Sequence, residues 1–154
     1  MLWVMSFHII FMFQKFGVTG VIFDIQGSKR YFLILHRVLN WNGWEFVKGG
    51  IDEGEEPLDA VLREIEEESG LTKVFVVSQL PRKVTWIAKE TKYTYTPFIL
   101  KGDMNEPINL EQEVIEHDAH KWVLQEDVEN YLTHEDNKKI FREALEVLHN
   151  GEKN

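Results

Sequence analysis

Apolar residues recur along this chain with two different periods. From Phe16 to Ile25 the run FGVTGVIFDI is rich in β-branched and aromatic side chains, and Gly27-Ser28 then marks a turn. Tyr31 to Val38 is a second such run, so the two predict a β-hairpin. Asn40 to Gly43 read as a loop, and Trp44-Glu45-Phe46-Val47 lead out of it. The period then changes. Leu58, Val61, Leu62 and Ile65 recur at helical spacing behind Pro57, whose missing N–H has no partner to lose in a first helical turn. Gly70 closes the run as a left-handed cap would. Residues 74–80 predict a strand closed by Pro81, and Val84 to Ala88 and Tyr93 to Leu100 predict two more, joined across Lys89-Glu90-Thr91-Lys92. The polar, acidic stretch 102–113 suits a loop, and His117 to Val123 a last strand. Glu126 to Leu132 predicts a short helix. A longer one follows from Thr133, taken as its N-cap, with Ile140, Phe141, Ala144, Leu145 and Leu148 as its apolar face, and the tail GEKN is expected to fray.

Strands, a helix, more strands and a closing helix predict an α/β fold with helices covering a mixed β-sheet. The 154 residues suit a single domain with one real hydrophobic core. Residues 1–13, MLWVMSFHIIFMF, carry no charge. They fall short of the roughly 20 residues that span a bilayer, and they lack the basic start and small-residue cleavage site of a signal peptide. An extra strand, an apolar flap used in dimerisation, and an upstream extension with the true start at Met5 or Met12 remain open; the strand or the extension is favoured, since an exposed apolar flap would be a sticky patch.

Composition adds exclusions. With no cysteine, disulfides, thiolate nucleophiles and zinc–thiolate sites are all absent, which fits a reducing cytoplasm. The net charge of −9 speaks against a broad basic face for nucleic acid, so no stable nucleic-acid partner and no membrane are expected. A phosphate substrate stays compatible, because bound divalent metal reverses the local sign.

The candidate chemistry lies between Gly49 and Leu71. Glu64, Glu67 and Glu68 fall on one side of the predicted helix, at i, i+3 and i+4, where like charges destabilise an isolated helix. Either a cation gathers them or they form a solvated acidic face. The pattern around them decides between the two. Gly49, five residues, Glu55, seven residues and then Arg63-Glu64-Ile65-Glu66-Glu67-Glu68-Ser69-Gly70-Leu71 resemble, at every fixed position, the signature of the Nudix hydrolases. These are Mg²⁺-dependent enzymes that cleave a nucleoside diphosphate linked to another group.

The resemblance implies an α/β/α sandwich with a central mixed sheet, Mg²⁺ as cofactor with Mn²⁺ as a substitute, and a nucleotide substrate. It implies Glu67 and Glu68 as metal ligands and Glu64 as a ligand or the water-activating base. Glu55 and Arg63 would hold loop against helix, and the carbonyl of Lys48 or Gly49 would add a ligand. Mg²⁺ prefers oxygen ligands and keeps several waters, so a few carboxylates with substrate phosphates make its usual site. The chain departs from the family at Val47, where proline is common.

Three features bear on the substrate. Lys48 before Gly49 resembles the diadenosine tetraphosphate hydrolases of the animal and archaeal type, and GGIDEGEEP resembles the plant and bacterial branch, which includes the 5′ RNA pyrophosphohydrolases. Lysine is a flexible point charge for phosphate. Glu116-His117-Asp118-Ala119-His120-Lys121-Trp122 resembles a segment of the diadenosine tetraphosphate hydrolases in which an acid completes the metal site; Glu116 is the candidate, Glu113 and Glu111 the fallbacks, and His120 stands where tyrosine is usual. Trp86, Tyr93, Tyr95 and Phe98 form an aromatic hairpin that could stack a nucleobase or simply reflect strand composition. Lys92, Lys89, Arg82, Lys83, His36 and Arg37 are further phosphate candidates. The first expectation is a cytoplasmic Mg²⁺-dependent hydrolase, monomeric or homodimeric, splitting diadenosine tetraphosphate into ATP and AMP. Removal of pyrophosphate from RNA 5′ ends comes second, and a nucleotide-sensing module without turnover third.

Overall fold

The structure, a computed structural model, describes residues 12–152. The elements run β1 (Phe13–Gln26), β2 (Lys29–Arg37), β3 (Gly43–Glu45), β4 (Val47–Gly50), α1 (Pro57–Ser69), β5 (Phe75–Gln79), β6 (Val84–Ala88), β7 (Thr91–Lys101), β8 (His117–Leu124), α2 (Val128–Tyr131) and α3 (Glu135–Glu152). A 3₁₀ turn, Gln125–Asp127, leads into α2. All eight strands join one mixed sheet, parallel between β1 and β7 and antiparallel elsewhere.

β1 changes partner along one edge: Phe23–Gln26 pair with β2, whereas Gly17–Gly20 pair with β4. The other edge lies along β7 from Phe13 to Phe23. β2 therefore leaves β1 halfway and continues with β3 and β8. The fork this opens between β2 and β4 is where the loop into α1 begins.

Strand alternation sends neighbouring side chains to opposite layers. Leu33 and Leu35 pack with Val18, Ile22, Val61 and Ile65 under α1, while Phe32 and Ile34 pack with Phe46, Ile140, Phe141 and Ala144 under α3. Each large apolar side chain so buried contributes about 1.5–3 kcal/mol. Helices on both faces of a mixed sheet are the expected α/β/α sandwich.

α1 forms as its sequence predicts. Pro57 opens it, and Gly70 (φ 78°) caps it with its N–H on the Glu66 carbonyl. Leu58 stays exposed, however, and Ala60 takes its place in the core. β6 and β7 meet at Lys89-Glu90 alone, both at positive φ (49° and 63°), the backbone of a two-residue hairpin turn. Three expectations change. Thr133 does not cap α3, since its hydroxyl accepts the Trp44 N–H. Of the tail GEKN, Gly151 and Glu152 continue α3 rather than fray, and residues 153–154 lie outside the described ones. Phe13, counted with the apolar extension, belongs to β1; residues 1–11 lie outside the described ones.

Candidate active site

Loop and helix meet at Gly49. The β1–β4 ladder holds this residue opposite Val18, and a Cβ there would collide with the Glu64 carboxyl group. Glycine at this position leaves the Glu64 carboxylate its place against β4. The preceding amide, Lys48 N–H, donates to Glu68 Oε2 at 3.3 Å. Arg63 ties the loop to the helix. Its Nε and Nη2 donate to both oxygens of Glu55 (2.9 and 3.0 Å), Nη2 also to the Gly50 carbonyl (2.8 Å), and Nη1 to Glu64 and Glu67 (2.9 and 3.0 Å). Glu55 in turn accepts the Asp52 N–H.

Burial sets the charges of these acids. The Glu64 carboxyl is pushed up to about 7, mainly by desolvation, with Glu67 and Glu116 adding to the rise and Arg63 opposing it. Glu68 is raised well above the usual range by burial first and then by the charges of Glu64, Glu116 and Glu45. Carboxyls that hold one another's charge off in a desolvated site fit a divalent cation, which supplies the missing positive charge. Glu64, Glu68 and Glu116 are the residues that could hold it. Among the described residues no three acids converge on one point, and Arg63 pairs with both Glu64 and Glu67. Glu67 is half-exposed and Gln112 bonds its carbonyl.

Beside this cluster lies a second set of buried charges. Glu45, at the end of β3, is fully buried. Its Oε1 accepts from His117 Nε2 (3.2 Å) and Arg37 Nη1 (3.1 Å). Its Oε2 has no hydrogen-bond partner, and the Lys48 ammonium stands 3.7 Å from it. Arg37 also reaches to 3.9 Å of Glu116. Burial raises the Glu45 carboxyl, but the His117 hydrogen bond and the Lys48 and Arg37 charges outweigh it and keep the group ionised.

On the α3 side, Lys48 borders a cavity of about 360 Å³. Its walls include Trp41, Trp86, Tyr95 and Val84, and the first turns of α3 contribute Asp136 and Asn137. Both indoles are braced. Trp41 meets His134 edge-on at 4.4 Å, and Trp86 stacks on Tyr93 at 5.1 Å with 8° between the planes. The Lys48 ammonium stands 6.0 Å from the Trp41 ring and 5.8 Å from the Trp86 ring. Tyr95 links this cavity to the acids, whose charges, after burial, raise its hydroxyl. An aromatic slot with a cation at its edge and carboxylates next to it is suited to a base, a phosphate chain and a metal, in that order.

Residues 14–144 match the family model described as NUDIX domain. The chain belongs to the Nudix family. A Nitratiruptor sp. protein named RNA pyrophosphohydrolase is 31% identical over 117 residues, covering 70% of this chain and 74% of that protein. One of the same name from Helicobacter pylori is 46% identical over 55 residues, 36% of this chain and 34% of that one. A solved Caenorhabditis elegans Ap4A hydrolase binary complex superposes with a TM-score of 0.78 at 22% identity, over 88% of this chain and 98% of the other, a likeness of fold. Nudix proteins are hydrolases that generally use divalent metals such as Mg²⁺.

The Nudix residues expected from sequence divide into three sets. Glu55, Arg63, Glu64, Glu67, Glu68 and Gly49 come together, Glu67 through its bond to Arg63, and Glu116 adds its charge from the loop before β8. Lys48 and Tyr95 line the cavity, whereas Tyr93 backs Trp86. The third set goes elsewhere. Phe98 is three residues beyond Tyr95, so alternation sends it to the other layer, into the core under α1. It is a core residue, not a base-stacking one. His120 is exposed on β8 and is absent from the cavity lining; partial desolvation lowers its pKa. His36 is paired with Asp118 and Arg37 with Glu45, and Glu111 and Glu113 are exposed. Glu45 and Trp41 were not among the expected residues. A lone acid inside the apolar run Trp44-Glu45-Phe46-Val47 was the available signal for Glu45; nothing local singled out Trp41. No helix among the described residues is long and apolar enough to cross a membrane.

Proposed function

We propose that this Nudix hydrolase removes pyrophosphate from the triphosphorylated 5′ end of RNA, with Mg²⁺ as cofactor. The observation that carries the reading is the braced aromatic cavity beside the Glu64–Glu68 cluster. Its lining residues Val84, Asp136 and Ile140 also border a neighbouring groove that carries Lys83 and Lys139, with Arg82 paired to Glu143 at 3.0 Å. A base in the cavity puts its 5′ phosphates toward Lys48 and the acids, while the groove offers cations to the chain that follows. The relatives named RNA pyrophosphohydrolase support this order over the dinucleotide reading.

Glu64, Glu68 and Glu116 would hold the Mg²⁺, which supplies charge neutralisation of the phosphates and an acidified water. This chain's residues do the rest. Trp41 and Trp86 stack the base, Lys48 meets the nearest phosphate, and Arg63 with Glu55 keeps the loop against α1. One of the carboxylates accepts the proton of the attacking water, whose oxygen ends on one phosphorus as the bridging oxygen leaves with the other fragment. A net charge of −9 suits brief capture of an RNA end rather than a stable complex.

The second reading is hydrolysis of dinucleoside polyphosphates such as diadenosine tetraphosphate to ATP and AMP. It is favoured by Lys48 beside Gly49 and by Glu116 reaching both box acids electrostatically. Purified protein with Mg²⁺ should release pyrophosphate from triphosphorylated RNA faster than it splits diadenosine tetraphosphate, ADP-ribose or free nucleoside triphosphates. The opposite order for diadenosine tetraphosphate would establish the second reading, and inertness toward all four would overturn both.

A further inference from the structure

A fully buried carboxylate with one oxygen lacking any hydrogen bond is expensive unless a cation answers it. Glu45 is such a group. Its Oε1 is committed to His117 and Arg37, two side chains of the β2–β8 pair that frame the fork in the sheet. Its Oε2 has one cation close by, the Lys48 ammonium at 3.7 Å. Only Phe46 and Val47 separate the two residues, and both are core side chains, so neither backbone end of this contact can drift. Lys48 is partly exposed and reaches past Glu45 to a point between the Trp41 and Trp86 rings. Its own backbone N–H is already committed to Glu68.

We infer that Glu45 is a positioning residue for substrate capture: its buried carboxylate holds the Lys48 ammonium across the mouth of the aromatic cavity, where it meets the phosphate nearest the base. The inference rests on the nucleotide reading above. A free lysine on four rotatable bonds loses side-chain entropy whenever it grips a phosphate, and a fixed electrostatic partner removes most of that cost in advance. The contact is open rather than closed into a short hydrogen bond. That leaves the ammonium donors free for phosphate oxygens while the charge stays in place. Arg37, at 3.9 Å from Glu116, ties the same hub to the acid side of the site.

The test is a double-mutant cycle at Glu45 and Lys48 in the full chain, read by titrating tryptophan fluorescence with ADP and with adenosine in the presence of Mg²⁺. Glu45→Gln is expected to weaken ADP by about tenfold, the value of one charge-assisted contact, and to leave adenosine within about twofold. KM for the hydrolysed substrate should rise by the same factor with kcat retained. In a Lys48→Met background, Glu45→Gln should add nothing. Glu45→Asp, which keeps the charge and withdraws it by one methylene, is the second variant and should fall between wild type and Glu45→Gln. Unchanged ADP affinity in either Glu45 variant, equal losses for ADP and adenosine, or full additivity with Lys48→Met would each overturn the inference. A wild-type protein that turns over nucleotide while the Glu45 variants match it sinks only this inference. One that neither binds ADP nor hydrolyses any nucleotide sinks the functional reading with it.

Discussion

Glu45 and Glu68 both face Lys48, the one its ammonium and the other its backbone N–H, and both are almost wholly buried, at 0% and 4% exposure. Their electrostatics run in opposite directions. Glu45 is held ionised by His117, Lys48 and Arg37 in spite of its burial. Glu68 has one backbone N–H and is surrounded by other acids, so burial and like charge raise it together. Equal burial thus gives opposite results, and the number of cations within reach decides which. A balanced carboxylate is part of the scaffold. An unbalanced one suits a cation that the polypeptide does not provide, and it lies on the helix whose sequence carries the Nudix pattern.

Removing the unbalanced charges should cost the most activity and the least stability. Glu68→Gln is expected to lower kcat by at least about 10²–10³-fold with the fold intact, measured by steady-state hydrolysis and circular dichroism; an unchanged rate would refute its role. Gly49→Ala comes next. Its methyl would occupy the Glu64 carboxylate's place and displace that group, with an expected loss of about a hundredfold in kcat.

Stability sharpens the contrast from the other side. Glu45→Ala leaves Arg37 and His117 facing a void and should destabilise by about 3 kcal/mol or more in chemical denaturation. The pH dependences should also have opposite signs. The Glu64 carboxyl, raised to about 7 from 4.5, contributes stability to the metal-free protein that is fully present below about 4.5 and lost as pH rises through about 7. Glu64→Gln should therefore flatten the fall in Tm between pH 5 and pH 8. Glu45, with its carboxyl lowered, contributes stability present above 4.5 and lost as pH falls through its folded value.

The aromatic cavity should respond to a smaller degree. Trp86→Ala is expected to weaken nucleotide binding by about 1–3 kcal/mol in KM, with kcat less affected. At the bottom of the scale, His120→Ala should change neither parameter by more than about twofold.

Much of this was legible in the chain because the signals were local. Pro57, Gly70 and the helical spacing between them placed α1, and alternation placed the strands. The Glu55–Arg63 pair followed from the family pattern and is present in the structure. What escaped depends on relations between distant segments. Trp41 becomes a cavity wall only because His134, at the start of α3, braces it. Glu45 gains its meaning from His117 and Arg37, brought to it by the pairing of β2 with β8 and β3. Phe98 shares the aromatic character of Tyr93 and Tyr95, but strand parity separates it from them and places it in the core. Thr133 has the side chain of a cap, but its hydroxyl accepts the N–H of Trp44, distant in sequence.

If the acids of α1 serve to bind a divalent cation, the isolated protein should take one up without any substrate. Mn²⁺ binding, followed by electron paramagnetic resonance on the wild-type chain and on Glu68→Gln, tests that claim without depending on any substrate. The wild type should bind Mn²⁺ stoichiometrically and the variant should lose it; equal Mn²⁺ binding by both proteins would show that α1 is no metal site.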